Sequence, residues 1–170
     1  MRRALPWLML AVGIVWISWG LRPSAQFPVG GKLPSFSAPL SDGRSFTLTA
    51  APDRVTVLNF WASWCGPCRA EGPVLSAAQA GADDVRVVGL SIEPLPVAEV
   101  GRRARALGMH YDVGHADEAL LTRFQLHTLP TTYVIARDGA IVLSRVGAIT
   151  GSELEAALAS ARAGKSAPQD

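Results

Sequence analysis

Cysteine and histidine are scarce in this sequence, which contains two cysteines and three histidines among 170 residues. A tetrahedral zinc site needs four ligands, usually cysteine or histidine side chains at short, regular spacings. His110, His115 and His127 follow no such spacing, and a single pair of cysteines is available to join them. The sequence therefore argues against a zinc site, and we expect the protein to work without a metal or another cofactor.

An excess of basic residues is also missing from the main part of the chain. Of the 16 lysines and arginines, three (Arg2, Arg3 and Arg22) flank the first apolar segment, which leaves 13 basic against 14 acidic side chains in residues 23–170. A nucleic-acid-binding protein needs a basic surface to neutralise phosphates, so we expect no nucleic-acid partner. The composition, 49% hydrophobic and 18% charged, is typical of a folded core.

Charged residues are absent from positions 4–21, so 18 uncharged residues lie between Arg3 and Arg22. As an α-helix this segment would extend about 27 Å, close to the hydrocarbon thickness of a bilayer. Arginines before it and two tryptophans near its far end are typical of a membrane anchor. We therefore predict one transmembrane helix in residues 1–22; a signal peptide cleaved after Ala25 is the alternative.

Both interpretations of the N-terminus send the rest of the chain across the membrane. In a bacterium that side is the periplasm, where disulfides can persist. We therefore expect a single-pass protein of the inner (cytoplasmic) membrane, with its folded part on the extracytoplasmic side.

The remainder of the chain divides into a linker, one domain and a tail. Residues 23–34 are rich in proline and glycine, as in a tether, and residues 164–170 resemble a loose tail. Between them, residues 35–163 are long enough for one compact domain.

Strand and helix patterns alternate within this domain. They predict a hairpin around Asp42-Gly43, strands at 54–62 and 85–92, helices at 66–80, 97–108 and 117–126, a short strand between the last two helices, a hairpin around Asp138-Gly139, and a final helix capped by Ser152. Strands that alternate with helices and close on an antiparallel pair indicate an α/β fold. We expect a mixed central sheet with helices on both faces and an N-terminal β-hairpin extension.

The two cysteines, Cys65 and Cys68, stand in the sequence WCGPC between a buried strand and a helix. Unpaired backbone N–H groups and the positive end of the helix dipole favour a thiolate at Cys65. Cys68 follows one turn deeper on the same face, where it can attack a mixed disulfide formed by Cys65. Gly66 allows a partner's backbone to approach and Pro67 fixes the turn. This pattern beside a βαβ unit predicts thioredoxin-like redox exchange.

Two other uses of the cysteine pair remain open. A purely structural disulfide would close so small a loop that it would restrict the unfolded chain little. Copper(I) held by two thiolates is chemically possible.

A proline directly before a strand, Pro130 in HTLPTTYVI, is the second signal. Proline is rare within sheets, and a cis X-Pro bond usually marks a tight turn. Backbone groups beside such a turn could pair with a peptide that lies across the cysteines. An ordinary edge-strand proline is the alternative.

Together, WCGPC after an apolar strand and TLPTTYVI some sixty residues later resemble the thioredoxin superfamily. The apolar N-terminus, the FTL hairpin, WCGPCRAEGPVL and GLSIE are similar to its TlpA/ResA/DsbE (CcmG)-like branch, which consists of membrane-anchored thiol:disulfide oxidoreductases. The similarity extends over about residues 30–162. It implies that Cys65 is the attacking thiol and Cys68 the resolving thiol of a redox-active Cys65–Cys68 disulfide, with Pro130 as a cis-proline beside them.

The resemblance also concerns acidic residues around the cysteines. Glu71 occupies an acidic position of this branch, one turn after Cys68, where it could shuttle a proton or shift the pKa of that thiol. A solvated helix carboxylate is the alternative. Asn59 stands where thioredoxin has a buried aspartate, and an amide cannot act as an acid or base, so Glu71 is the better candidate. Glu93 matches a further acidic position of some members.

Several residues have predicted supporting roles. Trp64 is expected to shape and shield the dithiol together with Trp61, for which a plain core role is the alternative. Leu129 is expected to support the site beside Pro130. We interpret His127 as a loop residue near the active face and not as a catalyst.

The expected function is the reduction of disulfides in periplasmic proteins by dithiol exchange through Cys65 and Cys68. The resemblance suggests apocytochrome c, and with it cytochrome c biogenesis, or copper-site cysteines as substrates. It also suggests an inner-membrane thiol electron donor of the DsbD/CcdA kind, because an oxidising compartment would otherwise leave the pair closed. The alternative is a copper(I)-handling or partner-binding module without redox turnover.

Overall fold

The computed structural model describes residues 27–164. The predicted anchor at residues 1–22, the beginning of the predicted linker and the last six residues of the predicted tail lie outside the described residues. Within residues 27–164, no helix has both the length and the apolar character that crossing a bilayer requires.

Residues 27–164 form seven strands and four helices. The strands are β1 (Phe36–Pro39), β2 (Ser45–Leu48), β3 (Val55–Trp61), β4 (Val85–Ser91), β5 (Asp112–His115), β6 (Thr131–Ile135) and β7 (Ile141–Val146). The helices are α1 (Gly66–Ala80), α2 (Val97–Ala106), α3 (Glu118–Phe124) and α4 (Gly151–Arg162).

Five of the strands form one sheet in the order β5-β4-β3-β6-β7. Strands β3, β4 and β5 run parallel, whereas β6 is antiparallel to β3 and β7 is antiparallel to β6. Strands β1 and β2 form a separate antiparallel hairpin before the sheet. The mixed sheet and the hairpin predicted from the order of elements are therefore confirmed.

The sheet carries a hydrophobic core on each face, because side chains alternate along the central strand β3. Val55 and Val57 pack with buried residues of α1 and α4 on one face. Leu58 and Phe60 pack with α3 and the β1–β2 hairpin on the other. All seven residues of β3 are buried, as expected for a strand covered on both sides. The prediction of helices on both faces is confirmed.

The start of α4 differs from the sequence prediction, because the capping residue is Thr150 and not Ser152. The Thr150 hydroxyl accepts the backbone N–H of Glu153, and the Glu153 carboxylate accepts the backbone N–H of Thr150 at 2.8 Å. This capping box satisfies two N–H groups at once. Ser152 already lies inside the helix, so the prediction was two residues late.

The sheet brings the two sequence signals to the same edge. β3 ends at Trp61, four residues before Cys65, and the neighbouring strand β6 begins immediately after Pro130. In the β3–β6 ladder, Thr131 is paired with Phe60. The WCGPC segment and the TLPTT segment therefore meet where these two strands join their loops.

Candidate active site

Cys65 and Cys68 lie at the start of α1 and form a disulfide. Cys65 is the N-cap residue, with φ −81° and ψ 109°, and its sulfur accepts the backbone N–H of Cys68 at 3.3 Å. Pro67 fits the first turn because the first N–H groups of a helix have no partner within it. The N–H group of Cys68 and the positive end of α1 both stabilise negative charge on the Cys65 sulfur.

The two cysteines differ in accessibility. Cys65 keeps 6% of its surface exposed, whereas Cys68 is fully buried. Gly66 and Pro67, between them, are exposed. Trp64 exposes 65% of its surface and so presents an apolar area to a partner. Of the two cysteines, therefore, only Cys65 retains surface that a disulfide approaching from outside can contact.

A shallow cleft of about 470 Å³ opens beside Cys65. Its walls come from the WCGPC loop, the end of β4 and the loop between α3 and β6: Trp64, Cys65, Gly66, Pro67, Ile92, Leu126, His127, Thr128 and Leu129. The Leu129–Pro130 peptide bond at its end is cis. The structure thus brings the predicted supporting residues Trp64, Gly66, Pro67 and Leu129 into one cleft with Cys65, and it places His127 on the wall.

Glu71 is buried, with 1% of its surface exposed, so the interpretation of a solvated helix carboxylate is wrong. Its Oε1 accepts the side-chain N–H of Asn59 at 2.5 Å, and its Oε2 accepts the backbone N–H of Ile149 at 3.2 Å. Asn59 also donates to the hydroxyl oxygen of Thr132 at 2.9 Å. Asn59, whose amide cannot act as an acid or base, is therefore in direct contact with Glu71, the predicted candidate for that role.

Burial raises the pKa of Glu71 to about 7, although the hydrogen bonds from Ile149 and Asn59 act in the opposite direction. A carboxyl group with such a pKa can both take up and release a proton near neutral pH. Glu71 follows Cys68 by three residues in α1, so the two side chains lie on the same helical face. The arrangement can hold one exchangeable proton behind the buried sulfur.

Glu93 contacts the loop that leads to Cys65. Its carboxylate accepts the backbone N–H of Ser63 at 2.6 Å and the hydroxyl of Ser63 at 2.8 Å. Arg103 of α2 donates to that hydroxyl at 2.9 Å and to Glu93 at 3.2 Å. Arg69 donates to the carbonyl oxygen of Ser63 at 3.2 Å. Every polar group of Ser63 has a partner, which fixes the backbone two residues before Cys65.

Replacing Glu93 by alanine is expected to lower the free energy of unfolding by about 1–3 kcal/mol, because the N–H and hydroxyl of Ser63 lose a charged acceptor. The amide hydrogens of Ser63 and Trp64 should also exchange faster with solvent. Chemical denaturation and hydrogen exchange of the oxidised protein measure the two effects.

The matched control is Glu99→Ala, because Glu99 also pairs with Arg103, at 2.9 Å, but its hydrogen-bond partners within residues 27–164 are Arg102 and Arg103 and not Ser63. That variant should leave amide exchange at Ser63 unchanged. Equal acceleration of exchange in both variants would show that Glu93 does not hold the loop.

Three polar residues of this region were missed by the sequence analysis: Ser63, Arg103 and Thr132. Ser63 and Arg103 lie 40 positions apart, and Thr132 lies 73 positions from Asn59, so only the folded structure brings each pair together. Thr132 does follow Pro130 in TLPTT, which was a weak signal. Trp61 is fully buried and packs with Cys68, so its ring belongs to the core.

Comparison with known proteins agrees with this geometry. The sequence model of the Redoxin family matches residues 28–158. The thioredoxin-like protein YneN of Bacillus subtilis is 27% identical over 165 residues, which cover 91% of this chain and 96% of that protein. The thiol-disulfide oxidoreductase ResA of the same organism is 26% identical over 126 residues, 72% of this chain and 70% of that one. The crystal structure of a thiol:disulfide interchange protein from Chlorobium tepidum, 24% identical, superimposes with a TM-score of 0.66 over 81% of this chain and 99% of the other, and shows the same thioredoxin-like fold.

Proposed function

Because this chain belongs to the Redoxin family and is a thiol-disulfide oxidoreductase of the ResA and DsbE type, we propose that it reduces disulfides of other proteins on the extracytoplasmic side of a bacterial membrane. The observation that carries this proposal is the asymmetry of the cysteine pair. Cys65 is accessible at a helix N-terminus, and Cys68 is buried one turn behind it. This arrangement suits an attacking thiol and a resolving thiol.

The reaction proceeds in two exchange steps from the reduced protein. The Cys65 thiolate attacks one sulfur of the substrate disulfide, forms a mixed disulfide and releases the other substrate sulfur as a thiolate. Cys68 then loses its proton and attacks the Cys65 sulfur, which releases the second substrate thiolate and closes the Cys65–Cys68 bond. The substrate disulfide has then gained two electrons and two protons, and the protein dithiol has lost them.

We assign Glu71 the proton transfer at the buried cysteine. Cys68 has no exposed surface, so bulk water cannot easily take its proton in the second step. The carboxylate of Glu71 can take this proton. Burial raises the pKa of Glu71 to about 7, and Glu71 follows Cys68 by about one turn of α1. Protonated Glu71 then releases the proton when the pair is reduced again.

The cleft beside Cys65 is the proposed binding site for the substrate chain. Its lining is mainly apolar and includes Trp64, Ile92, Leu126 and Leu129. A shallow cleft of about 470 Å³ holds an extended segment of a few residues better than a folded domain. Unfolded segments with two nearby cysteines, such as those of apocytochrome c or of copper sites, fit this requirement.

The proposed location depends on the apolar segment at residues 1–22, which lies outside the described residues. An anchored domain in an oxidising compartment needs a supply of electrons, because the Cys65–Cys68 disulfide would otherwise persist. We therefore assign the renewed reduction of the pair to an inner-membrane thiol donor of the DsbD/CcdA kind.

The purified protein is expected to speed the reduction of insulin disulfides well above the rate of a small dithiol alone. Cys65→Ser should return the rate to that of the dithiol, because a serine oxygen cannot form the mixed disulfide. Precipitation of the insulin B chain measures the rate, and circular dichroism checks that the variant is folded. No acceleration by the wild type, together with stoichiometric copper(I) binding, would contradict the reductase and favour the copper-handling alternative.

A further inference from the structure

Three buried side-chain polar atoms on the α1 side of the sheet have no hydrogen-bond partner among residues 27–164: Asn59 Oδ1, Trp61 Nε1 and the Tyr111 hydroxyl. Leaving a buried polar atom unpaired costs about 1–3 kcal/mol, and native proteins rarely do so without a reason. Three such atoms in one region therefore point to a ligand that satisfies them together.

The three atoms belong to the same layer, between the sheet and α1. Asn59 and Trp61 are two residues apart on β3, so their side chains point to the same face. Tyr111, directly before β5, packs against the buried clusters of that same face, and one of these clusters contains Trp61 and Cys68. This layer is also where Glu71 accepts its hydrogen bond from Asn59.

Gly89 on β4 allows two of these side chains, Trp61 and Tyr111, to approach each other closely. It is the direct partner of Asn59 in the β3–β4 ladder. A Cβ atom at position 89 would lie 2.9 Å from Cε2 of Tyr111 and 3.1 Å from Nε1 of Trp61. Any larger residue would meet the phenol ring and the indole nitrogen, so both rings converge over this glycine.

The chemistry of the three atoms is complementary to water. The indole N–H of Trp61 can only donate, Asn59 Oδ1 can only accept, and the Tyr111 hydroxyl can do either. A water molecule donates two hydrogen bonds and accepts others, and buried waters typically make about three bonds to otherwise unsatisfied groups. A metal cation does not fit, because an indole N–H and a phenol offer it no charge.

We propose that the polar atoms of Asn59, Trp61 and Tyr111 form a binding site for one buried water molecule, and that this water acts through Asn59 on the proton-transfer group Glu71. The water accepts the indole N–H and donates to Asn59 Oδ1. The water also forms a hydrogen bond with the Tyr111 hydroxyl, either as the donor or as the acceptor. Tyr111 is thus a positioning residue for Glu71 and does not touch the reacting sulfurs.

The link to Glu71 follows from the two ends of the Asn59 amide. A donor at Oδ1 fixes the orientation of this amide and polarises it, so that Nδ2 becomes a better donor to the Glu71 carboxylate. The groups near Glu71 are Cys68 on α1, which is disulfide-bonded in the oxidised protein, and Tyr111 before β5. Beyond Tyr111 lies an outer cleft with Arg86, His110 and Asp112. Burial, with a contribution from the charge of Glu71, raises the pKa of Tyr111, so its hydroxyl stays protonated.

The first test is the stability of Tyr111→Phe, which removes the hydroxyl and keeps the ring. If the hydroxyl binds the water, the variant loses a hydrogen bond, and the melting temperature of the oxidised full-length protein should fall by about 2–4 °C. If the hydroxyl is simply unpaired, its removal relieves a desolvation cost, and the melting temperature should rise. A rise would overturn the proposal.

The second test detects the water itself by NMR in the oxidised full-length protein. The indole N–H of Trp61, assigned by comparison with Trp61→Phe, should show a cross-peak to a long-lived water that Tyr111→Phe weakens. The pKa of Glu71, followed by ¹³C carboxyl labelling, should rise by about 0.5 pH unit in Tyr111→Phe, because the carboxylate loses support. A missing water cross-peak in the wild type, or an unchanged Glu71 pKa, would overturn the proposal.

Tyr133→Phe is the matched control, because the Tyr133 side chain belongs to the core on the opposite face of the sheet. It should leave both the Trp61 cross-peak and the Glu71 pKa as in the wild type. The link to Glu71 rests on the proposed function, but all these measurements use the oxidised protein without turnover. The water site can therefore fail while the reductase stands, and the reverse also holds.

Discussion

A Cys68→Ala variant of this protein should accumulate as a covalent complex with its substrate, joined through Cys65. The first exchange step needs only the accessible sulfur at the start of α1. The second step needs Cys68. The chain has two cysteines, and Cys65 is already part of the mixed disulfide, so Cys68 is the remaining thiol that can attack it. Multiple turnover of insulin should fall to the rate of the reducing agent alone, while a single covalent adduct forms.

Non-reducing gel electrophoresis followed by mass spectrometry measures this complex. The adduct should disappear on reduction, and its linking peptide should contain Cys65. The matched control is Cys65→Ala, which keeps the buried thiol but should form no complex, because Cys68 has no exposed surface. Adducts of similar yield in both variants would contradict the division into an attacking and a resolving thiol.

The same trapping experiment in living cells addresses the substrate. Proteins caught by Cys68→Ala should carry cysteine pairs in unfolded segments, as the shallow cleft beside Cys65 requires. Capture of folded proteins with buried disulfides would show that the cleft does not select for extended chains. Capture of folded proteins would contradict the proposed substrate class but not the proposed exchange reaction of Cys65 and Cys68.

Local signals in the sequence were sufficient for most of the fold. The helix predicted at 66–80 was found at Gly66–Ala80, because Pro67 suits a first turn and the apolar spacing continues to Ala80. Strand β3 was recognised as a continuous run of β-formers and is buried throughout. The cap of α4 was misplaced because threonine and serine stand two residues apart. The glutamate three residues after Thr150 identifies the true cap.

The candidate site was less predictable, because its polar contacts depend on packing. Glu71 was recognised as a neighbour of Cys68, but its burial depends on how α1 lies over β3 and on the approach of Ile149 from the segment before α4. Asn59 was read as the loss of an acid, whereas its amide donates to the acid that is present. These contacts join residues that are 12 and 78 positions apart in the chain, and the spacing of apolar residues does not predict them.

Replacing Glu71 by glutamine should make the oxidised protein more stable at alkaline pH and slower as a reductase. Burial raises the pKa of Glu71 from 4.5 to about 7. Below pH 4.5 the group is neutral in both the folded and the unfolded chain. Between pH 4.5 and 7 it ionises in the unfolded chain first, so the wild type should lose about 3 kcal/mol of stability over this window. Glutamine carries no charge and should remove this part of the pH dependence.

Chemical denaturation of the oxidised protein between pH 4 and 9 measures the difference. At pH 4 the two proteins should be closest in stability, because a protonated carboxyl and an amide are both uncharged and have nearly the same shape, and each keeps one carbonyl oxygen that can accept an N–H group of Asn59 or Ile149. At pH 8 the variant should be more stable by about 2–3 kcal/mol. Glu155→Gln, a change at an exposed glutamate of α4, is the control and should reproduce the wild-type profile.

The direction of the change separates a functional carboxylate from a structural one. If Glu71 served only to stabilise the fold through Asn59 and Ile149, glutamine would lower stability at every pH. If it serves as the proton acceptor of Cys68, the variant should gain stability above pH 7 and resolve the mixed disulfide more slowly, without the inflection near pH 7 that the wild-type rate should show. Stopped-flow release of the second substrate thiolate measures that rate. A buried charge that costs stability but speeds the reaction is what a catalytic group at this position requires. A variant that is less stable at every pH and resolves the mixed disulfide at the wild-type rate would leave Glu71 with a structural role alone.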